Sequence, residues 1–135
     1  MTLVSDHDND ELNPYRVHSR REVIALLRSI GERNQLVRMI INHGVDTIVT
    51  SILKIDEANN TVLLDCAPTA TMNQRVLESE KLSFETVLES IRILFTSTAA
   101  ESCIYENLPA FIIPLPTSVI RLQRREFYRV PTPVT

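Results

Sequence analysis

The sequence predicts a mainly β fold, a small barrel or sandwich of short antiparallel strands with one helix covering an end or an edge. Runs rich in β-branched and aromatic residues, separated by turn residues, fill positions 35–114. One amphipathic stripe at helical spacing precedes them, and prolines mark the exit from the strand-rich part. The length of 135 residues fits one domain with a single moderate core.

The first regular element is predicted to be a helix that begins after Ser19. Ser19 is a favourable N-cap, and Glu22 three residues later completes a capping box. Gly31 is placed to end the helix or to weaken its last turn. Residues 1–18 are acidic, polar and aperiodic, so we expect them to form a flexible tail. The apolar stripe of the helix is made of Val23, Ile24, Leu26, Leu27 and Ile30.

The next stretch predicts three antiparallel strands in meander order. These strands cover residues 35–42, 45–55 and 61–66, with turns at 43–44 and 56–60. Residues 72–79 carry the weakest pattern and are compatible with one or two helical turns.

Further strands are predicted over 81–87, 91–98 and 103–114, with Phe84 and Phe95 filling a barrel interior or a sheet face. Residues 114–135, which are rich in proline, read as an exit strand followed by an inter-domain linker.

The charge distribution restricts the kinds of partner. The net charge is −3, while residues 121–135 hold four arginines and one glutamate, so residues 1–120 sum to −6. An acidic body disfavours binding to nucleic acid or to an anionic membrane. There is no signal-peptide pattern and no apolar run of about 18 residues, so we expect a soluble, cytoplasmic protein without membrane insertion.

Residues suited to catalysis are scarce. The three histidines lie in no catalytic motif, and the two cysteines have no metal-ligand spacing. The two glycines are isolated, so no glycine-rich loop is available to hold a phosphate. We therefore predict a binding or regulatory module, not an enzyme, with no catalytic residues, no metal ligands and no cofactor.

The strongest candidate site is a cluster of arginines near the end of the sequence. We predict that Arg124, Arg125 and Arg129 bind a phosphorylated ligand, because guanidinium groups are permanently charged and offer forked donors to phosphate oxygens. The alternative is a solvated linker face, since Arg121, Arg125 and Arg129 recur every four residues.

Two strings of residues resemble a known family. They are Leu108-Pro-Ala-Phe with Pro114-x-Pro-Thr, and Gln123-Arg-Arg-x-Phe-Tyr-Arg129. Together they resemble the junction of the YcgR-like flagellar brake proteins, which join an N-terminal domain to a PilZ domain, the bacterial receptor module for cyclic-di-GMP. The resemblance implies a split β-barrel over residues 19–120, and a linker with the start of a PilZ domain over 121–135.

The resemblance also implies a ligand and partners. In the family, arginines matching Arg125 and Arg129, with a basic residue matching Arg124, grip the phosphates and guanine faces of cyclic-di-GMP. It suggests flagellar motor switch or stator proteins as partners and association with the flagellar basal body.

The second PilZ motif, Asp/Asn-x-Ser-x-x-Gly, is absent, because Arg28 and Ile41 stand where serine is required before the two glycines. We therefore expect the N-terminal part of a longer protein. A flavin- or nucleotide-binding split barrel and a generic protein-interaction domain remain alternatives, and a nucleic-acid binder is disfavoured by the acidic body.

Overall fold

The computed structural model of the protein describes residues 15–41 and 44–122, which form two antiparallel β-sheets and two helices. The first half comprises β1 (Arg16–Val17), α1 (Arg20–Glu32), β2 (Val37–Ile41), β3 (Asp46–Thr50), β4 (Ile52–Asp56) and β5 (Thr61–Asp65). The second half comprises α2 (Ala70–Glu78), β6 (Lys81–Leu88), β7 (Ile91–Thr98), β8 (Glu101–Tyr105), β9 (Leu108–Pro114) and β10 (Val119–Leu122). The six-stranded sheet has the order β1-β10-β7-β6-β2-β3, and the four-stranded sheet has the order β4-β5-β9-β8. The predicted mainly β fold is confirmed.

Helix α1 begins where the sequence predicts and ends later. Ser19 Oγ accepts a hydrogen bond from the amide of Glu22 at 3.4 Å, which is the serine half of the predicted capping box. The helix continues through Gly31 to Glu32, with Arg33 as its C-cap, and Asn34 follows the cap with a φ of 56°. The amide of Asn34 donates to the carbonyl of Gly31, and the amide of Gln35 donates to that of Ile30, both at 3.0 Å. This is a Schellman ending, with asparagine in the left-handed position.

Gly31 serves the packing of α1 against β4. A Cβ at this position would lie 3.2 Å from the carbonyl oxygen of Ile52. The missing side chain lets the helix approach the strand closely.

The predicted three-stranded meander is wrong, because the segment predicted as one strand over 45–55 bends at Ser51. Its two halves, β3 and β4, belong to different sheets. Thr50 is buried, and its hydroxyl donates to the carbonyl of Asp65 at 2.7 Å. The amide of Asp65 in turn donates to the carbonyl of Ser51 at 3.0 Å. These bonds hold the corner through which the chain crosses from one sheet to the other.

Two tight turns depart from the sequence expectations. The segment 103–114 is two strands, β8 and β9, joined by Glu106 and Asn107, which have φ values of 50° and 69°. Strands β6 and β7 are joined in the same way by Glu89 and Ser90, with φ values of 53° and 69°. Two-residue turns with both φ values positive match the twist of the flanking strands. Glutamate and serine are unusual there, so the sequence gives little signal.

The region of weakest pattern forms a second helix, α2. Thr69 caps it, with its hydroxyl accepting from the amide of Met72 at 3.2 Å. The predicted helical turns over 72–79 are therefore present, and the helix begins two residues earlier.

The core lies between the sheets and under α1. Phe84 and Phe95 are paired across β6 and β7 and stack with ring centroids 4.7 Å apart, which confirms their predicted interior position. Fully buried side chains come from α1 and from both sheets, including Leu27, Ile30, Met39, Leu64, Leu82 and Ile113. One apolar cluster therefore joins all the layers.

Strands β1 and β10 lie at one edge of the six-stranded sheet. Val17 of β1 pairs with Val119 of β10, and β10 pairs with β7. Strand β1 falls inside the segment 1–18 that the sequence predicts as a tail, because a strand of two residues has no periodicity to detect. The rest of that segment, 1–14, lies outside the described residues.

Candidate ligand-binding site

The predicted ligand-binding residues Arg124, Arg125 and Arg129 lie outside the described residues. The last described residue is Leu122, two positions before Arg124. The structure describes the end of β10, which precedes these residues in the sequence, and the strands beside it.

The end of β10 is fixed within the six-stranded sheet. Leu122 is buried and stands opposite Arg92 of β7, while Arg121 is exposed and stands opposite Ile93. Val119, also buried, anchors the beginning of the strand. Ladder hydrogen bonds and two buried side chains hold β10, so the chain reaches residue 122 from a defined position beside the turn between β6 and β7.

A row of charged side chains crosses the outer face of this sheet. The Arg92 guanidinium donates to Glu85 Oε2 from Nε at 3.0 Å and from Nη2 at 2.6 Å. Arg38 of β2 stands opposite Glu85, and its Nη1 lies 3.9 Å from Glu85 Oε1. Two guanidinium groups thus share one carboxylate, which leaves a local charge of +1. These side chains are partly exposed, so each pair contributes about 1 kcal/mol or less.

A third ion pair lies at the same end of the sheet. Arg33, the C-cap residue of α1, forms an ion pair with Glu89 of the β6–β7 turn, and 2.6 Å separates Arg33 Nη2 from Glu89 Oε2. Both side chains are more than half exposed. With Arg121 added, this end of the sheet carries more arginines than carboxylates and can attract an anion weakly over distance.

An open cleft of about 1080 Å³ lies at the other end of β6. Its charged residues are mixed, and Arg75 is paired with Asp46 at 3.3 Å across it. Lys81 begins β6 there, whereas β10 ends beside the turn that follows Leu88. The cleft therefore lies at the opposite end of β6 from the end of β10. It is lined by Ile40, Gly44, Val45, Asp46, Arg75, Glu78, Ser79, Glu80, Lys81 and Ser83.

Other chemistry is sparse in the part of the chain that the structure describes. No group of three or more His, Cys, Asp or Glu side chains there could hold a metal ion. Cys66 and Cys103 are free thiols and partly exposed. The side chain of Asn59 and, to a smaller extent, its backbone N–H donate hydrogen bonds to the carboxylate of Asp56. These bonds lower the pKa of Asp56. Neither of the two described helices has the length and apolarity needed to span a bilayer.

The ion pairs around Glu85 were missed by the sequence reasoning. Predicted strands over 81–87 and 91–98 imply a hairpin, but its register depends on a two-residue turn at Glu89-Ser90. With that turn, Glu85 and Arg92 become diagonal neighbours on one face of the sheet.

The sequence matches a protein family over residues 15–121, and this family is described as the PilZN domain of the flagellar regulator YcgR. A curated relative, the flagellar brake protein YcgR of Janthinobacterium sp. (strain Marseille), is 84% identical over 135 residues. The match covers 100% of this chain and 54% of the relative. The chain thus spans about half the length of that relative.

Solved structures with the same fold come from Escherichia coli. The crystal structure of YcgR in complex with c-di-GMP superposes with a TM-score of 0.78 at 22% identity, covering 84% of this chain and 48% of that one. The crystal structure of the YcgR-N domain gives a TM-score of 0.72 at 21% identity, covering 81% of this chain and 96% of that one. At these identities, the similarity concerns the fold.

Proposed function

The chain belongs to the family of the PilZN domain of the flagellar regulator YcgR, and we propose that it is the N-terminal regulatory part of a cyclic-di-GMP receptor that controls flagellar motility. The family match over 15–121 carries the proposal, because it takes in almost the whole described body. The 84% identical relative is named a flagellar brake protein, and the Escherichia coli protein of the same fold was crystallised with c-di-GMP.

In this proposal Arg124, Arg125 and Arg129 grip the dinucleotide. Guanidinium groups make paired hydrogen bonds to phosphate and stack on the faces of bases, so they can serve both halves of this ligand. Support comes from β10, because its last residue is buried in the sheet. Two residues span at most about 7 Å, so Arg124 starts close to a rigid element.

The rest of the ligand site would be supplied by a PilZ domain beyond residue 135. The chain lacks the Asp/Asn-x-Ser-x-x-Gly motif of that domain. It also spans only about half of its relative. We therefore expect the 135-residue chain alone to hold the ligand weakly or not at all.

Ligand closure would act as a switch through the segment that joins the two domains. Ligand held by the arginines would set the angle at which the following domain leaves β10. The barrel itself would act as an output domain that docks on motor switch or stator proteins, in the cytoplasm at the flagellar basal body. It would have no catalytic role.

Calorimetric titration with cyclic-di-GMP tests the arginine assignment in the longer protein that contains the PilZ domain. Arg125→Ala or Arg129→Ala should each remove a charge-assisted contact of about 1.5–3 kcal/mol. That loss corresponds to a rise in Kd of roughly ten-fold to a hundred-fold. Arg20→Ala is the matched control, because Arg20 contacts the β4–β5 turn through Glu57 and Asn60, away from β10.

The outcomes separate the alternatives. Unchanged affinity in both the Arg125 and Arg129 variants would mean that these arginines are a solvated linker face. Tight binding by the 135-residue chain alone would show that the site does not need a second motif. Equal losses in all variants, the Arg20 control included, would indicate a general effect on the fold.

A further inference from the structure

Strand β8 is an open edge of the four-stranded sheet. It pairs with β9 on one side, and no described element lies along its other side. The opposite edge of the same sheet, β4, is packed against by α1. Edge strands are usually blocked by lysine, proline or a bulge. Strand β8 contains none of these, and its register with β9 is uninterrupted over five pairs.

The hairpin geometry determines which peptide groups face the open side. Glu106 and Asn107 form a two-residue turn, so Tyr105 and Leu108 are a hydrogen-bonded pair, and every second pair after them is bonded in the same way. Ile104 stands in a pair without hydrogen bonds, and its partner is Pro109, which has no N–H. The N–H and C=O groups of Ser102 and Ile104 therefore point away from β9.

We propose that β8 pairs antiparallel with β8 of a second copy of this chain, about a two-fold axis at Cys103. In this register Ser102 of one copy faces Ile104 of the other, and the two exchange N–H···O bonds on both sides of the axis. The four hydrogen bonds use every outward peptide group of these two residues. Glu101 stands opposite Tyr105, so no like charges face each other. The paired sheets form one eight-stranded sheet.

The side chains also favour this pairing. Ile104 is 70% exposed on the side of the sheet that carries buried Phe111 and Ile113, and it projects beyond them at the edge. In the dimer the two Ile104 side chains lie on the same face beside the axis and cover part of each other. The contact is small, so the dimer is weak and depends on concentration.

Cys103 supplies a direct test of the register. At the axis the two Cys103 residues form a pair without hydrogen bonds, with Cα atoms about 4.5 Å apart. That separation lies inside the disulfide range of about 4.4–6.8 Å. Oxidised glutathione should therefore give a covalent dimer of the 135-residue chain in wild type and in Cys66→Ser, but not in Cys103→Ser. Both cysteines are partly exposed, which makes Cys66 a fair control.

Sedimentation velocity over a range of concentrations tests the contact without oxidation. Ile104→Lys should raise the dimer Kd by about ten-fold or more, since it places two like charges beside the axis. Leu36→Lys adds the same charge at a residue that is 65% exposed in the loop before β2, away from β8, and its Kd should match wild type. A monomer at every concentration, a crosslink through Cys66, or equal Kd values for the two lysine variants would overturn the proposal.

Discussion

Among the described residues, Thr50 is a buried polar side chain that connects the two sheets. Its hydroxyl donates to the carbonyl of Asp65 at 2.7 Å, beside the bend at Ser51. Thr50→Val keeps the shape of the side chain and removes this part-buried hydrogen bond, so the free energy of unfolding should fall by about 0.5–1.5 kcal/mol. Thr47→Val, at an exposed position of the same strand, is the control. Urea unfolding followed by circular dichroism measures both, and equal changes would contradict the role of the hydroxyl.

Asp56 gives the β4–β5 turn a dependence on pH. Hydrogen bonds from Asn59 lower the pKa of this carboxyl below its ordinary value of 3.8. A lowered pKa in the folded state means that the stabilisation is fully present above the ordinary value and is lost as the pH falls through the folded pKa. Wild type should therefore lose stability relative to Asp56→Asn below a pH of about 4. A difference between the two proteins that stays constant from neutral to acidic pH would contradict this account.

At the scale of elements, the sequence predicts what local chemistry decides. The Ser19 cap and the apolar stripe give the start of α1, and period-two patterns give the positions of most strands. The bend at Ser51 could not be predicted from the sequence, because Asp65, which hydrogen-bonds to Ser51, is distant in sequence. The two-residue turn at Glu89-Ser90 could not be predicted either, because neither residue type favours positive φ. The same holds for the charged residues near the end of β10. The ion pair between Arg92 and Glu85 depends on the β6–β7 register, which that turn sets.

The end of α1 illustrates how a single backbone conformation sets an element's length. Asn34 has a φ of 56°, which is costly for a residue with a Cβ and least so for asparagine. Asn34→Ala should lower the free energy of unfolding by about 1 kcal/mol, and Asn34→Gly should leave it unchanged or raise it. Thermal unfolding of the three proteins measures the order. A glycine variant less stable than the alanine variant would show that the asparagine side chain, not the left-handed backbone, ends the helix.

At the scale of the whole molecule, the packing predicts that the two sheets unfold as one unit. One apolar cluster contains residues of both sheets and of α1, and Phe84 lies in it, stacked on Phe95. Phe84→Ala should lower the free energy of unfolding by about 3–5 kcal/mol. In a Tyr15→Phe, Tyr128→Phe background, Tyr105 is the remaining tyrosine, and it reports on the four-stranded sheet. Its fluorescence transition should coincide with that of far-UV circular dichroism and shift with it in the Phe84 variant. The mutated residue is in the other sheet, so an unchanged Tyr105 transition would mean that the sheets unfold separately.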